Sequence, residues 1–387
     1  MADHPSAAAR IAAQWRNPQD IFSLLLLIGG DVVQKAIARL SHTGCAVIRL
    51  MPKPENEVLV GNCDTGYIRS NNSWILGRIL RDREHIPDTL DKSNHPPSEI
   101  PDGSTGIVSL AIEVFIAEDD DLQKPHYGLI WWLSWALIAL QHGIAAIPAM
   151  LNNDWSIVVV TSFGSFLAVL TSSLPQWKME KWPGRRLRKD ERKPIILTRG
   201  NGHQYVMLIL SHSGVHDLEA TAAGRLHVLP HTALVLAVMT SFWIVLLIAA
   251  TGPTENTWYL IWIGALGMLQ HVYLAWSATS AADYNIPLRS HHSIPVICGY
   301  QLTYERKRAL QASWSTWSKR QAAEEFAHPL PTENVRGVMG ALMEVEKLQK
   351  NAGATLLRLF FPGGIAYEPA SLSCPREKLF WEHATNL

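Results

Sequence analysis

Cysteine is scarce in this chain. The 387 residues hold four, Cys45, Cys63, Cys298 and Cys374, scattered and without a CxxC pair. That leaves no disulfide framework to read and argues against a cysteine-based zinc site. An excess of one charge is missing too: 34 basic residues meet 34 acidic ones, so net charge gives no case for a nucleic-acid partner. Catalytic signatures are absent as well. No GxSxG elbow, HExxH pair or aspartate-rich diphosphate box occurs. Arg199-Gly200-Asn201-Gly202 lacks the Lys-Ser/Thr ending of a P-loop and reads as a turn. Met1–Ala13 has the Ala, Arg and Ser of a transit peptide, but the next apolar run ends in no signal-type cleavage site. Insertion through the chain's own helices is the simpler expectation.

Long apolar runs, by contrast, are plentiful. Tyr127–Met150 with Trp155–Leu174, and His231–Ala250 with Thr257–Trp276, form two close pairs. Each run is about the ~20 residues that a helix rising 1.5 Å per residue needs to cross a ~30 Å hydrocarbon core. They show hardly any polar face. Seven of the 15 tryptophans (131, 132, 155, 177, 182, 258 and 276) lie at or near the ends of these runs, as an interfacial belt requires. Between the pairs, Pro175–Gly200 carries nine Lys or Arg against Glu180, Asp190 and Glu191, which makes that insert cytoplasmic by the positive-inside rule. The turns at 152–154 and 253–256 then face the other side, and everything after Trp276 is cytoplasmic.

The fold class expected is mainly α: a polytopic helical membrane protein of four spans, up to six, with a small cytoplasmic α/β insert and a cytoplasmic helical tail. Residues 1–40 hold a short or interfacial membrane helix, since Ile21–Leu40 meets Asp31, Lys35 and Arg39 halfway. Residues 41–126 read as a polar loop with one short basic helix near Trp74–Arg83. Gly106–Ala117 within it is a buried strand or re-entrant piece. Hairpins occupy 127–174 and 230–277. In the insert, 175–229, Ile195–Thr198 and Gln204–Leu210 suit strands and Asp217–Gly224 a helical turn. The tail, 278–387, carries an amphipathic helix over Thr332–Lys350, with Asn351 and Gly353 as its stop signals.

Two Gln-His pairs, Gln141-His142 and Gln270-His271, sit inside apolar runs, where an ionisable group is expensive and is a functional candidate by default. The bland alternative is hydrogen bonding between helices. His142 and His271 are expected at different depths. His212 and His216 have i, i+4 spacing and are the metal-ligand candidates, although Gly214 between them disfavours a helix. No metal and no cofactor is expected. Glu113 and Asp119–Asp121 read as a solvated run beside the membrane.

The strings Gln14–Ala38, Asn72–Asp82, Gly143–Pro148, Ser173–Arg186, Ile196–Leu210, Asp217–Gly224, Asn256–Ala275, Val338–Glu346 and Leu359–Gly364 together resemble a family of multi-pass membrane proteins recurring in filamentous fungi. The resemblance implies a fungal membrane protein and supplies no catalytic residues. The chain departs from the family's pattern after Leu40, where a second apolar segment is missing, and over Tyr300–Glu325, which looks like added material.

Three function classes follow. A membrane-resident enzyme or accessory protein, of cyclase or tailoring type, would act on an apolar fungal metabolite in a helix-bundle cavity. A scaffold or sensor would bind protein partners through the insert and tail. A transporter would need more spans, and helices broken at mid-membrane. The partners expected are membrane lipid, an apolar small molecule and proteins at the insert, with no nucleic acid. Asn71-Asn72-Ser73 is a glycosylation sequon, and four spans would leave it on the cytoplasmic side without a glycan.

Overall fold

A computed structural model describes residues 57–84, 104–118, 129–200, 202–224, 229–253, 255–305, 308, 337–363 and 375–385. The Ile21–Leu40 run, Cys45, Cys374, Asp119–Asp121 and most of Tyr300–Glu325 lie outside these residues. The chain divides into two units, each assembled from separated segments.

One unit is a bundle of α2 (Leu129–Asn152), α3 (Ser156–Ser172), α6 (Thr232–Ala250) and α7 (Thr257–Trp276). Three stretches are long and apolar enough to cross a membrane: Trp131–Asn152, Thr232–Ala250 and Thr257–Trp276. α3 has 17 residues, short of the twenty expected for its run. It ends early because Ser172 and Ser173 turn their hydroxyls back onto the Val169 carbonyl, at 2.9 and 2.7 Å. At 1.5 Å per residue it still reaches about 25 Å, the lower end of a spanning length. Inside the bundle, Ala145, Ile157 and Ile263 form one buried cluster and Leu167, Met239 and Leu246 another. The outward faces stay apolar and uncovered, as Trp132, Leu234, Ile248, Trp262 and Leu269 show. A water-facing surface would not hold so large an apolar area.

Hydrogen bonds close the bundle at both ends. Asn256 donates to Asp154 and accepts from Asn152, each at 3.2 Å, so the two hairpin turns share one end. Following α3 comes α4 (Gln176–Lys181), where Gln176 Oε1 accepts from the Leu229 amide at 2.6 Å and from the Thr232 hydroxyl at 3.4 Å.

The other unit is organised by a seven-stranded sheet, which stands beside the helices of a chain whose described residues are mostly helical. β1 (Leu59–Asn62), β2 (Ile68–Ser70) and β3 (Ser104–Ala117) come before the first hairpin. β4 (Lys193–Thr198) and β5 (Tyr205–Ser211) lie in the insert, and β6 (Leu288–Ser290) and β7 (Val296–Leu302) follow the second hairpin. The order is β2-β1-β4-β5-β3-β6, with β7 also on β3. All neighbours are antiparallel except β3 and β5, which run parallel in the register Glu113 opposite Met207. The stretch 41–126 is therefore no simple polar loop: its strands are part of the sheet.

Side chains alternate across each strand, so the sheet has two faces. Leu110, Ile112, Val114, Val206, Leu208, Ile196 and Ile297 pack on one face against α8 (Gly337–Leu348), α9 (Ala352–Phe360) and α10 (Pro375–Thr385). Gly353 is not a stop signal but lies inside α9. A Cβ there would come within 2.2 Å of the Leu342 carbonyl oxygen, so its hydrogen lets the two helices touch. The opposite face carries Glu113, Phe115, Tyr205 and Met207, with α1 (Trp74–Glu84) and α5 (Leu218–Ala223) among the elements of that side. α5 is framed by an Asp217 N-cap onto the Ala220 amide and a left-handed Gly224, as its sequence requires.

Candidate functional site

α1 reads Trp-Ile-Leu-Gly-Arg-Ile-Leu-Arg-Asp-Arg-Glu, with Trp74, Ile75, Arg78, Ile79 and Asp82 at the three- and four-residue steps of one helical face. Burying that face takes Arg78 and Asp82 along, and they pair at 3.0 Å. Asp82 also accepts from Arg81 at 2.8 Å and from the Thr279 amide at 3.1 Å. One carboxylate thus ties the 278–281 segment to α1.

Arg83, one step on, turns to the sheet. Its Nε and Nη2 donate to the two oxygens of Glu113 at 3.1 and 2.6 Å, a two-pronged pair. Its guanidinium lies over the Phe115 ring, 5.2 Å from the centroid. The Tyr205 hydroxyl donates to Glu113 from the neighbouring strand. Glu113 is only 4% exposed, which overturns its reading as a solvated acid. A carboxylate in the middle of an apolar strand must find a cation or neutralise, and α1 offers three.

Beside this triad lies a cavity of about 310 Å³ lined by Ile79, Asp82, Arg83, Phe115, Met207, Leu288 and the 278–281 segment. Its size is at the low end for small-molecule sites, and its wall is mostly apolar with few polar groups, as such sites are. Burial first, and then the Glu113 carboxylate, hold the Tyr205 hydroxyl well above the ordinary tyrosine range. The hydrogen bonds to Glu113 likewise hold Arg83 protonated. Proton transfer at neutral pH needs a group poised near that pH, and neither is. Tyr205 and Arg83 are suited to fixing charge in place.

The glutamines of the two Gln-His pairs are interhelical ties. Gln141 Nε2 donates to the Ile263 carbonyl at 3.0 Å, and Gln270 Nε2 to the Ser134 hydroxyl at 2.9 Å, both joining α2 to α7. His142 Nδ1 bonds the Ile138 carbonyl of its own helix at 2.8 Å. His271 is half-buried and its Nδ1 has no hydrogen-bond partner among the described residues. The register of the two ties puts His142 and His271 about nine residues apart along the bundle, roughly 13 Å at 1.5 Å per residue. They do not converge on one site.

His212 and His216 do not share a helical face. Gly214 takes φ +89 and His216 forms a β-bridge with Arg186, so a turn replaces the helix that i, i+4 ligation needs. Among the described residues no three His, Cys, Asp or Glu side chains gather as a metal would require. Gly200 and Gly202, between β4 and β5, take φ +93 and +91, and Arg199 is fixed to Glu84 at 2.7 Å.

Arg83, Glu113, Phe115 and Tyr205 were not singled out by sequence patterns as one site. The available signal was the lone Glu113 in the apolar run from Ile107 to Ala117, but its partners stand 30 residues before and 92 after it. Compared with known proteins, the chain matches no family model, no curated protein and no solved structure.

Proposed function

We propose that this is an integral membrane protein whose four bundle helices cross the bilayer and whose α/β unit handles a small apolar molecule, as an accessory protein or tailoring enzyme. The observation that carries the reading is the roughly 310 Å³ cavity, apolar in most of its wall and polar at Arg83, Asp82, Thr279 and Ser280. Crossing is supported by the uncovered apolar faces of α2, α6 and α7. Orientation follows from charge: both hairpin turns share one end, and the basic insert, with Arg185, Arg186, Arg188, Lys189 and Arg192 exposed, marks the other side as cytoplasmic.

A scaffold acting through the insert is the weaker reading, because β4 and β5 lie inside the sheet and leave mainly the basic loop for a partner. The fungal setting follows from the family resemblance.

The test is co-purification. Protein isolated in mild detergent should carry a lipophilic molecule, recovered by solvent extraction and mass spectrometry. Ala281→Phe, which fills the cavity from a half-exposed wall position, should lose it. Identical extracts from both proteins would overturn the proposal.

A further inference from the structure

We infer that the loop before β4, through Arg188, Lys189 and Arg192, is a docking surface for the anionic phospholipid headgroups of the membrane that the bundle crosses. This rests on the proposal that the bundle spans a bilayer. Elsewhere in the sheet unit Arg69, Arg83, Lys193, Arg199 and Arg289 each lie on a carboxylate. Arg188, Lys189 and Arg192 are exposed and make no ion pair among the described residues. Of the two acids in the loop, Glu191 is held by Arg185, whose Nη1 and Nη2 donate to its oxygens at 2.7 and 2.6 Å. Asp190 is exposed and offsets one charge, so two positive charges face solvent uncompensated.

The loop is a built element that holds these cations in place. The Leu187 amide donates to the Val215 carbonyl at 2.8 Å, and the Leu187 carbonyl accepts from the Gly214 amide at 3.1 Å. The Arg185 carbonyl accepts from the Asp217 amide at 2.9 Å. The turn after Leu187 is closed by the Arg188 amide, which donates to the Glu191 carboxylate at 3.2 Å, and by the Glu191 amide, which donates to the Arg188 carbonyl at 3.0 Å. A surface fixed beforehand loses little freedom when it docks. Its chemistry selects the partner. Leu187 is the one apolar side chain between Gly184 and Arg192, and it is buried, so the loop offers no apolar or aromatic anchor of the kind that carries protein interfaces. What remains is positive charge. Arg188, Lys189 and Arg192 follow the end of α3 by 16 to 20 residues in the chain, within the range where basic side chains set orientation and meet the anionic cytoplasmic leaflet.

The experiment uses the full chain in phosphatidylcholine nanodiscs carrying a trace of either spin-labelled phosphatidylserine or spin-labelled phosphatidylcholine. Electron paramagnetic resonance then reads how strongly the protein holds each lipid, with empty nanodiscs as the baseline. Phosphatidylserine should be held at least about fivefold more strongly, the effect of one basic side chain near an anionic headgroup. Raising salt to about 1 M, where charges are screened within ~3 Å, should remove most of that preference. Joint replacement Arg188→Gln, Lys189→Gln and Arg192→Gln should bring phosphatidylserine to the phosphatidylcholine level. Lys350→Gln, at an exposed lysine outside the loop, should leave the preference as it is. Millimolar inorganic phosphate should not displace the lipid.

Equal retention of the two lipids, a preference that survives the joint replacement, or displacement by free phosphate would overturn the inference while leaving the membrane reading intact. A chain that stays out of the nanodiscs would remove the membrane reading itself. The wild-type preference and its salt dependence need no variant, so the inference stays testable if the joint replacement fails to fold.

Discussion

Glu113 holds its neighbourhood together through three hydrogen bonds, two from Arg83 and one from Tyr205. Replacing it with Ala strands a cation and a hydroxyl. A wholly buried broken pair costs about 3–5 kcal/mol, but Arg83 can turn toward water, so we expect about 2–3 kcal/mol from denaturant unfolding. Tyr205 gives a pH signature. Its folded pKa lies above the unfolded value, so its contribution is fully present below the unfolded tyrosine value of about 10 and is lost as pH rises beyond it. Melting temperatures between pH 8 and 11 should fall less steeply for Tyr205→Phe than for wild type; parallel curves would refute this. At Asn71 burial alters an expectation. Its amide is 6% exposed, donates to the Ser73 carbonyl at 2.7 Å and accepts from the Ser73 amide at 2.9 Å. The folded sequon is closed to a transferase, so any glycan there would be added before the sheet forms.

Among the elements, the contact of α8 with α9 is sensitive to a single methyl group. Ala is a better helix former than Gly by about 1 kcal/mol, which alone would make Gly353→Ala stabilising. The clash wins, because a Cβ 2.2 Å from the Leu342 carbonyl oxygen meets backbone that cannot step aside. We expect a net loss of about 1–3 kcal/mol and faster trypsin cleavage around α9, with no such effect from Gly143→Ala, whose Cβ meets nothing within 4 Å. The same elements show what sequence patterns reveal. α2, α6 and α7 were legible because their lengths and apolar composition are set by one requirement, and β4, β5 and α5 because glycines and an N-cap Asp punctuate them. β1 and β2, of four and three residues, carry too little periodicity to announce themselves. Gly353 looked like punctuation because a glycine chosen for close packing and one chosen for a left-handed turn are the same letter. The candidate site was illegible for a different reason. Arg83, Glu113 and Tyr205 are ordinary residues made unusual by pairing across long separations.

For the whole molecule the proposed orientation has a direct test. Asn153 lies in the first hairpin turn and Lys189 in the basic loop, both exposed. In sealed microsomes, Lys189→Cys should react with an impermeant maleimide at once and Asn153→Cys only after detergent, each judged against the wild-type background of four cysteines. The opposite pattern would invert the protein in its membrane. The pairing of β3 also bears on how the chain is made. β3 emerges from the ribosome first, but its parallel partner β5 arrives only after the first hairpin, and β6 and β7 only after the second. While the first hairpin is made, an apolar strand of 14 residues waits without neighbours, the state in which chains stick to one another. The sheet can close only once both hairpins have been synthesised, so its completion reports that the chain has passed through them. A chain that stalls before the second hairpin keeps one edge of β3 open and presents quality control with a bare strand to seize.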